Sequence, residues 1–212
     1  MKDIKLIVFD LDGTLVNAYE AIVKSFNYTM RKLHYPLMDA YIIRRAVGWG
    51  DKNLLKKFVK ENDLIKALSI YRNHHKQALV KWSVLLPQAQ QALIYLKRKG
   101  YKLAVASNRP ARFSRILIRH LGIKKYFDYV LCADKLRNIK PHPQILREIM
   151  KKLHVGPKET VFVGDMAIDA ITARRAKVRA IIVTTGSSSI SEVKKEEPYR
   201  VIKKLSSLLK VF

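Results

Sequence analysis

Residues 4–9, apolar but for Lys5, form a run that breaks at Asp10-Leu11-Asp12-Gly13-Thr14-Leu15, so a strand must turn at the point where it delivers two carboxylates. Gly13 permits that turn, and Asp10 and Asp12 can then converge on one pocket at the strand's C-terminal edge. Three later segments carry comparable signals. Residues 103–106 are apolar and run into Ser107-Asn108-Arg109, with Pro110 suited to the start of a helix. Lys140 is followed by Pro141-His142-Pro143, whose prolines stiffen the backbone beside it. Residues 161–163 lead through Gly164 to Asp165 and Asp169, two more carboxylates four residues apart.

Periodicity sets these segments in an α/β alternation. Helical patterns over 88–99, 113–121, 143–153 and 169–176 separate strand patterns over 103–106, 129–132, 161–163 and 180–183. Such alternation implies right-handed crossovers and a Rossmann-like parallel sheet with helices on both faces, its ligands bound beyond the carboxyl ends of the strands. The block after the first strand is different. Helical spacing over 17–33, 39–47, 54–59 and 64–82, with no convincing strand, describes a small all-helical insertion, and Leu85-Leu86-Pro87 returns the chain to the main unit. The expected domains are therefore a core of residues 1–15 and 84–212 and a helical cap of residues 16–83. Residues 186–197 are polar and read as a mobile loop.

Composition narrows the function classes. The single cysteine, Cys132, excludes an internal disulfide and lies in an apolar run, where a thiol is buried and unreactive. No apolar stretch approaches the ~18 residues of a membrane span, and the N-terminus, with Asp3, Asp10 and Asp12, is not a signal peptide. A cytoplasmic protein is expected. The net charge of +25 raises nucleic-acid binding. Yet the basic pairs, such as Lys56-Lys57, Lys151-Lys152 and Arg174-Arg175, are dispersed along helices, and there is no basic tail, RNA-binding motif or zinc-finger spacing. The expectation is a solvated cationic surface that steers a small phosphorylated anion toward the site, with no specific nucleic-acid partner. Nothing in the pattern specifies an oligomer.

Four carboxylates in one pocket need cations: two unit charges about 5 Å apart repel by roughly 3 kcal/mol at an effective dielectric of 20. An all-oxygen site of this kind suits Mg2+, and Lys140 adds a second positive charge.

The four segments, in this order, resemble the haloacid dehalogenase superfamily, most closely its phosphoglycolate phosphatase-like branch. The resemblance implies Mg2+-dependent hydrolysis of a small phosphate monoester, phosphoglycolate-like or nucleotide monophosphate-like. It assigns Asp10 as nucleophile and Asp12 as acid and base, a residue that the dehalogenase branch lacks. Ser107 and the Asn108 backbone would hold the phosphoryl oxygens, Lys140 would neutralise them, and Thr14 joins the substrate-binding candidates. The metal set comprises Asp10, the carbonyl of Asp12, Asp165 and Asp169, the last through water or as an anchor for Lys140. In the cap, Arg45 is the candidate anion contact and Gly48 the close backbone approach. Asn17 and Gln88 depart from the family, where Asp and Gly are common. Two other readings share these motifs: a phosphomutase similar to β-phosphoglucomutase, and a polynucleotide end phosphatase using the basic surface.

Overall fold

A computed structural model describes residues 1 and 3–212. Strand β1 (Leu6–Phe9) is buried along its whole length. The chain then passes through β2 (Val16–Asn17) into four helices, α1 (Tyr19–Lys32), α2 (Ala40–Ala46), α3 (Asp51–Lys56) and α4 (Leu64–Trp82), and returns through β3 (Val84–Leu85). From there helices and strands alternate: α5 (Ala89–Arg98), β4 (Lys102–Ser107), α6 (Ala111–His120), β5 (Tyr129–Cys132), α7 (Gln144–Leu153), β6 (Thr160–Gly164), α8 (Ala167–Ala176) and β7 (Arg179–Val183). Helix α9 (Ile190–Lys194), β8 (Arg200–Ile202) and a terminal 3-10 segment (Leu205–Lys210) complete the chain.

Six strands form one parallel sheet in the order β5-β4-β1-β6-β7-β8. The alternation of side chains along β1 fixes its two faces. Ile7 and Phe9 join the apolar cluster that contains Leu93 and Leu96 of α5 and Leu117 of α6, while Leu6 and Val8 join the cluster containing Ile145, Ile149 and Ala173 of α7 and α8. Burying a side chain the size of Phe9 or Phe162 contributes about 2–3 kcal/mol. The helical block has its own apolar cluster, including Phe26 and Met30 of α1, Ile43 of α2 and Leu55 of α3.

Register carries this order through to the site. Phe9 pairs with Val105 of β4 on one side and Val163 of β6 on the other. One step further, Asp10 lies level with Ala106 and Gly164, and Ser107 and Asp165 follow immediately.

The structure departs from the sequence expectations in three places. The helical block is entered and left through the antiparallel pairs Val16↔Leu85 and Asn17↔Val84, a ribbon of strands too short to show a period. Residues 186–197 are not a structureless loop: Ser189 caps α9, its hydroxyl accepting from the Glu192 amide while the Glu192 carboxylate accepts from the Ser189 amide. This is a reciprocal capping box. Element ends also shift by a few residues, as with α1, which begins at Tyr19.

Gln88 sits in the left-handed region at φ 64° ahead of α5, exposed and without a side-chain capping bond. A side chain here strains the backbone and returns nothing. Gln88→Gly is expected to stabilise the protein by about 0.5–1 kcal/mol, read as a higher urea midpoint at unchanged m-value.

Candidate active site

Asp10, Ser107 and Asp165 each follow the last residue or close the end of a neighbouring strand, and Lys140 reaches them from the segment between β5 and α7. Its ammonium donates to Asp10 Oδ1 and Asp169 Oδ1, both at 2.7 Å. The Lys140 side chain is only 3% exposed and its charge lies over the Phe162 ring, so these bonds replace most of its hydration. Burial works against that charge, but Asp10 and Asp169 outweigh it and push the Lys140 pKa up.

Asn108 fixes where Lys140 stands. Its Oδ1 accepts from the Lys140 amide at 2.9 Å, and its Nδ2 donates to the Lys140 carbonyl and, at 2.9 Å, to the carbonyl of Gly48 in the helical block. Asp169, in the first turn of α8, accepts from the amides of Asp165 and Met166 through Oδ2 and from Lys140 through Oδ1. A helix N-terminus favours a carboxylate in that position.

Asp10, Asp165 and Asp169 are all buried, and one oxygen from each lies within 4.8 Å of the others. Asp165 receives the Thr14 hydroxyl on Oδ1 at 2.6 Å, while its Oδ2 is buried with no partner among the described residues. Burial pushes the Asp10 carboxyl up to about 7, Lys140 pulling it down and Asp169 pushing it further up. Burial also raises Asp165 well above the usual carboxylate range, with Asp169 and Asp10 adding to the shift. Three carboxylates facing one ammonium leave negative charge uncompensated. The donor set fits Mg2+: it is all oxygen, it includes an orphaned carboxylate oxygen, and two oxygens across a Mg2+ ion stand about 4 Å apart.

A cavity of about 60 Å³ opens over this cluster, lined by Asp10, Asp12, Ser107, Asn108, Lys140 and Asp169 from the sheet edge and by Gly48, Asp51, Tyr71 and His75 from the helical block. The sequence-predicted residues divide on this geometry. Asp10, Asp12, Ser107, Asn108, Lys140, Asp169 and Gly48 line the cavity, and Asp165 lies beside it in the carboxylate cluster. Gly48 is a close approach, since a Cβ built there would stand 2.8 Å from Met166 Sδ.

Two candidates, Thr14 and Arg45, lie off the cavity, and Asp12, which lines it, keeps its carboxylate outside the three-carboxylate cluster. Thr14 is fully buried and spends its hydroxyl on Asp165, so it holds a carboxylate and does not face the cavity. The Asp12 carboxylate is not in the three-carboxylate cluster; it pairs with Arg109 at 2.7 Å. Arg45 is turned away: its guanidinium forks onto Glu192 at 2.6 and 3.1 Å and donates to the Ser187 carbonyl. That fork, followed by the capping bonds from Ser189, holds the Glu192 carboxyl down to about 2. Cys132 is buried and its thiol is pushed up to about 11 by burial, as an inert thiol should be.

Two cavity residues escaped the sequence reading. Arg109 directly follows Ser107-Asn108, and His75 lies on the buried face of α4 between Tyr71 and Leu79. A histidine on an apolar stripe needs a polar partner, and that was the available signal.

A family model described as haloacid dehalogenase-like hydrolase matches residues 7–183. The chain is 32% identical over 196 residues to a phosphoglycolate phosphatase of Colwellia psychrerythraea, covering 88% of this chain and 87% of that protein. It is 30% identical over 210 residues to a probable phosphatase, IndB, of Dickeya dadantii, covering 96% and 91%. The solved structure of a predicted phosphoglycolate phosphatase from Haemophilus somnus superposes with a TM-score of 0.93 at 27% identity, over 100% of this chain and 99% of that one.

The raised carboxyl pKa values give metal binding a definite pH dependence. Below about pH 7 Asp10 holds a proton that a bound cation must displace, so Mg2+ binding is expected to release protons and to tighten as pH rises through 7. Calorimetric titration in buffers of different ionisation enthalpy measures this directly. A pH-independent affinity between pH 5.5 and 8.5 would contradict the assignment, as would unchanged binding in Asp165→Asn.

Proposed function

The chain belongs to the haloacid dehalogenase-like hydrolases, and we propose that it is a phosphatase hydrolysing a small phosphorylated metabolite of the phosphoglycolate kind through a phosphoryl group carried on Asp10. The observation that supports this most is the Lys140 bridge. The ammonium holds one oxygen of Asp10 and leaves the other free to approach phosphorus, while Asp12 lines the same cavity.

The reaction divides into two displacements. An Asp10 oxygen attacks phosphorus as the bond to the leaving alcohol breaks, and Asp12 supplies that alcohol's proton. Water then attacks the same phosphorus, Asp12 takes its proton, and the bond to Asp10 breaks to regenerate the carboxylate. In this reading Ser107 and the backbone of Asn108, residues that both line the cavity, hold the phosphoryl oxygens, and Lys140 balances their charge. Mg2+, held by Asp10, Asp165 and the Asp12 carbonyl, with Asp169 behind them, would supply positive charge against the phosphoryl oxygens.

In this reading residues 16–83 are the cap that encloses the leaving group and residues 1–15 and 84–212 are the core. The separate apolar cluster of the helical block supports that division. So does the β2–β3 ribbon, where the chain crosses between the two units twice. Cavity size argues for a small leaving group: about 60 Å³ is far below the roughly 300 Å³ and above of sites that enclose drug-sized ligands, which disfavours a nucleotide or an oligonucleotide end. The basic surface then serves to attract anions, not to bind a polymer. The similarity to phosphatases supports hydrolysis over a mutase.

A panel of phosphorylated metabolites with phosphate release as readout is expected to give Mg2+-dependent turnover, highest for two- and three-carbon esters and abolished by EDTA. Asp10→Asn should remove turnover with the fold intact. Lys140→Ala should lower kcat by about 10²–10³, the effect of deleting one preorganised charge. Full activity after metal removal, or near-normal kcat in Asp10→Asn, would defeat this function.

A further inference from the structure

The Asp12 carboxylate takes its side-chain hydrogen bonds, among the described residues, from one group. Arg109 Nε donates to Oδ2 and Nη2 to Oδ1, both at 2.7 Å. The Arg109 side chain is 6% exposed and that of Asp12 15%, so the fork is largely shielded from water. A bidentate fork fixes the plane of a carboxylate as well as its position.

Arg109 is held in turn from the helical block. Its third nitrogen, Nη1, lies 2.9 Å from His75 Nε2 on α4. A guanidinium only donates, so His75 Nε2 accepts and the ring proton sits on Nδ1. Nδ1 lies 2.9 Å from Ser25 Oγ, and the Ser25 hydroxyl donates onward to the Ala21 carbonyl at 2.7 Å. Every bond thus has a defined direction: Arg109 donates to Asp12 on one side and to His75 of α4 on the other, His75 donates to Ser25 of α1, and Ser25 donates to the Ala21 carbonyl. The His75 ring is 1% exposed, stacked on Tyr71 of α4 and met edge-on by Phe113 of α6. Burial, with Arg109 beside it, pushes the His75 pKa well down and keeps the ring an acceptor.

We propose that Arg109 and His75 are positioning residues for the Asp12 acid/base: Arg109 aims the carboxylate, and His75, carried on α4, aims Arg109, so that proton transfer is enabled only when the helical block is seated. The dependence follows from satisfiability. If α4 moves away, a buried guanidinium loses the acceptor of one nitrogen and the fork on Asp12 loses the support that orients it. The proposal rests on the two-step phosphatase reading above and adds to it a link between the cap and proton transfer.

The test uses the full chain with Mg2+ and two substrates that differ in their need for an acid. Ethyl phosphate needs its leaving group protonated; p-nitrophenyl phosphate does not, but the phosphoryl group left on Asp10 still needs a base for its hydrolysis. His75→Leu is expected to lower kcat for ethyl phosphate by about 10²-fold, the scale of a misplaced catalytic group, with KM changed less than about threefold. On p-nitrophenyl phosphate it should give a stoichiometric burst of p-nitrophenolate at the wild-type rate, then slow turnover. Asp12→Asn should show the same burst. His75→Gln, whose side-chain carbonyl can accept from Arg109, should recover ethyl phosphate turnover to within about tenfold of wild type. Should His75→Leu fail to fold, Arg109→Lys, which keeps the charge but lacks the fork, is expected to reproduce the burst.

Loss of the burst with equal losses on both substrates would overturn the proposal, assigning His75 to packing alone. Faster ethyl phosphate turnover in Arg109→Lys would also overturn it, since Arg109 would then restrain Asp12 and not aim it. If the wild-type protein hydrolyses neither ester, or Asp10→Asn keeps the burst, the phosphatase reading itself fails, and that result is distinct from either.

Discussion

One ammonium holds the site together. Lys140 stands between Asp10 and Asp169, all three groups at the carboxyl edge of a sheet whose central strand β1 is apolar and buried throughout. Removing one partner of a buried ion pair costs about 3–5 kcal/mol, because the group left behind cannot return to water. The surrounding structure accordingly leaves Lys140 little freedom: Asn108 grips its backbone from both sides, the Phe162 ring lies beneath its charge, and the first turn of α8 fixes Asp169. The pairing is incomplete by design of its stoichiometry. Three carboxylates against one ammonium, with Asp165 Oδ2 unpartnered among the described residues, form an all-oxygen donor set of the kind that suits a divalent cation.

Most of this frame is legible in the sequence, for a physical reason. Parallel strands buried on both faces must be apolar throughout, so a carboxylate, hydroxyl or amide at the end of such a run stands out against its surroundings. Asp10, Ser107 and Asp165 are each announced in that way. What stayed hidden depends on partners distant in the chain. Arg45 looks like a free cation until Glu192, 147 residues later, is folded against it. Arg109 and His75 are 34 residues apart on different elements, and neither is informative alone. The β2–β3 ribbon is two residues per strand, too short to display any period. Helix α9 is a different case: Ser189 and Glu192 have the spacing of a capping box, but the surrounding polarity masks a helix of five residues.

The helical block is fastened to the sheet edge at three kinds of contact. Arg44 donates to the Thr185 and Gly186 carbonyls while its guanidinium covers the Tyr19 ring, and Arg45 holds Ser187 and Glu192. Gly48 accepts from Asn108. His75 accepts from Arg109. The first lies at the outer, partly exposed rim, where ion pairs exchange readily with water and ions. The latter two lie inside, against the residues of the site itself. The interior contacts therefore tie the helical block to the residues of the candidate site, while the rim supplies attraction without a commitment to one geometry.

The β2–β3 ribbon bears on how such a protein can change over generations. Because Val16 faces Leu85 and Asn17 faces Val84, the chain leaves the sheet and returns to it at the same place. Everything between can be lengthened, shortened or exchanged without rethreading a single strand of the sheet, as a hairpin tolerates any loop that brings its ends back together. The two halves of the molecule are thus separable in heredity as they are in space. One carries the carboxylates and lysine of the candidate site, and the other is free to be rebuilt above them.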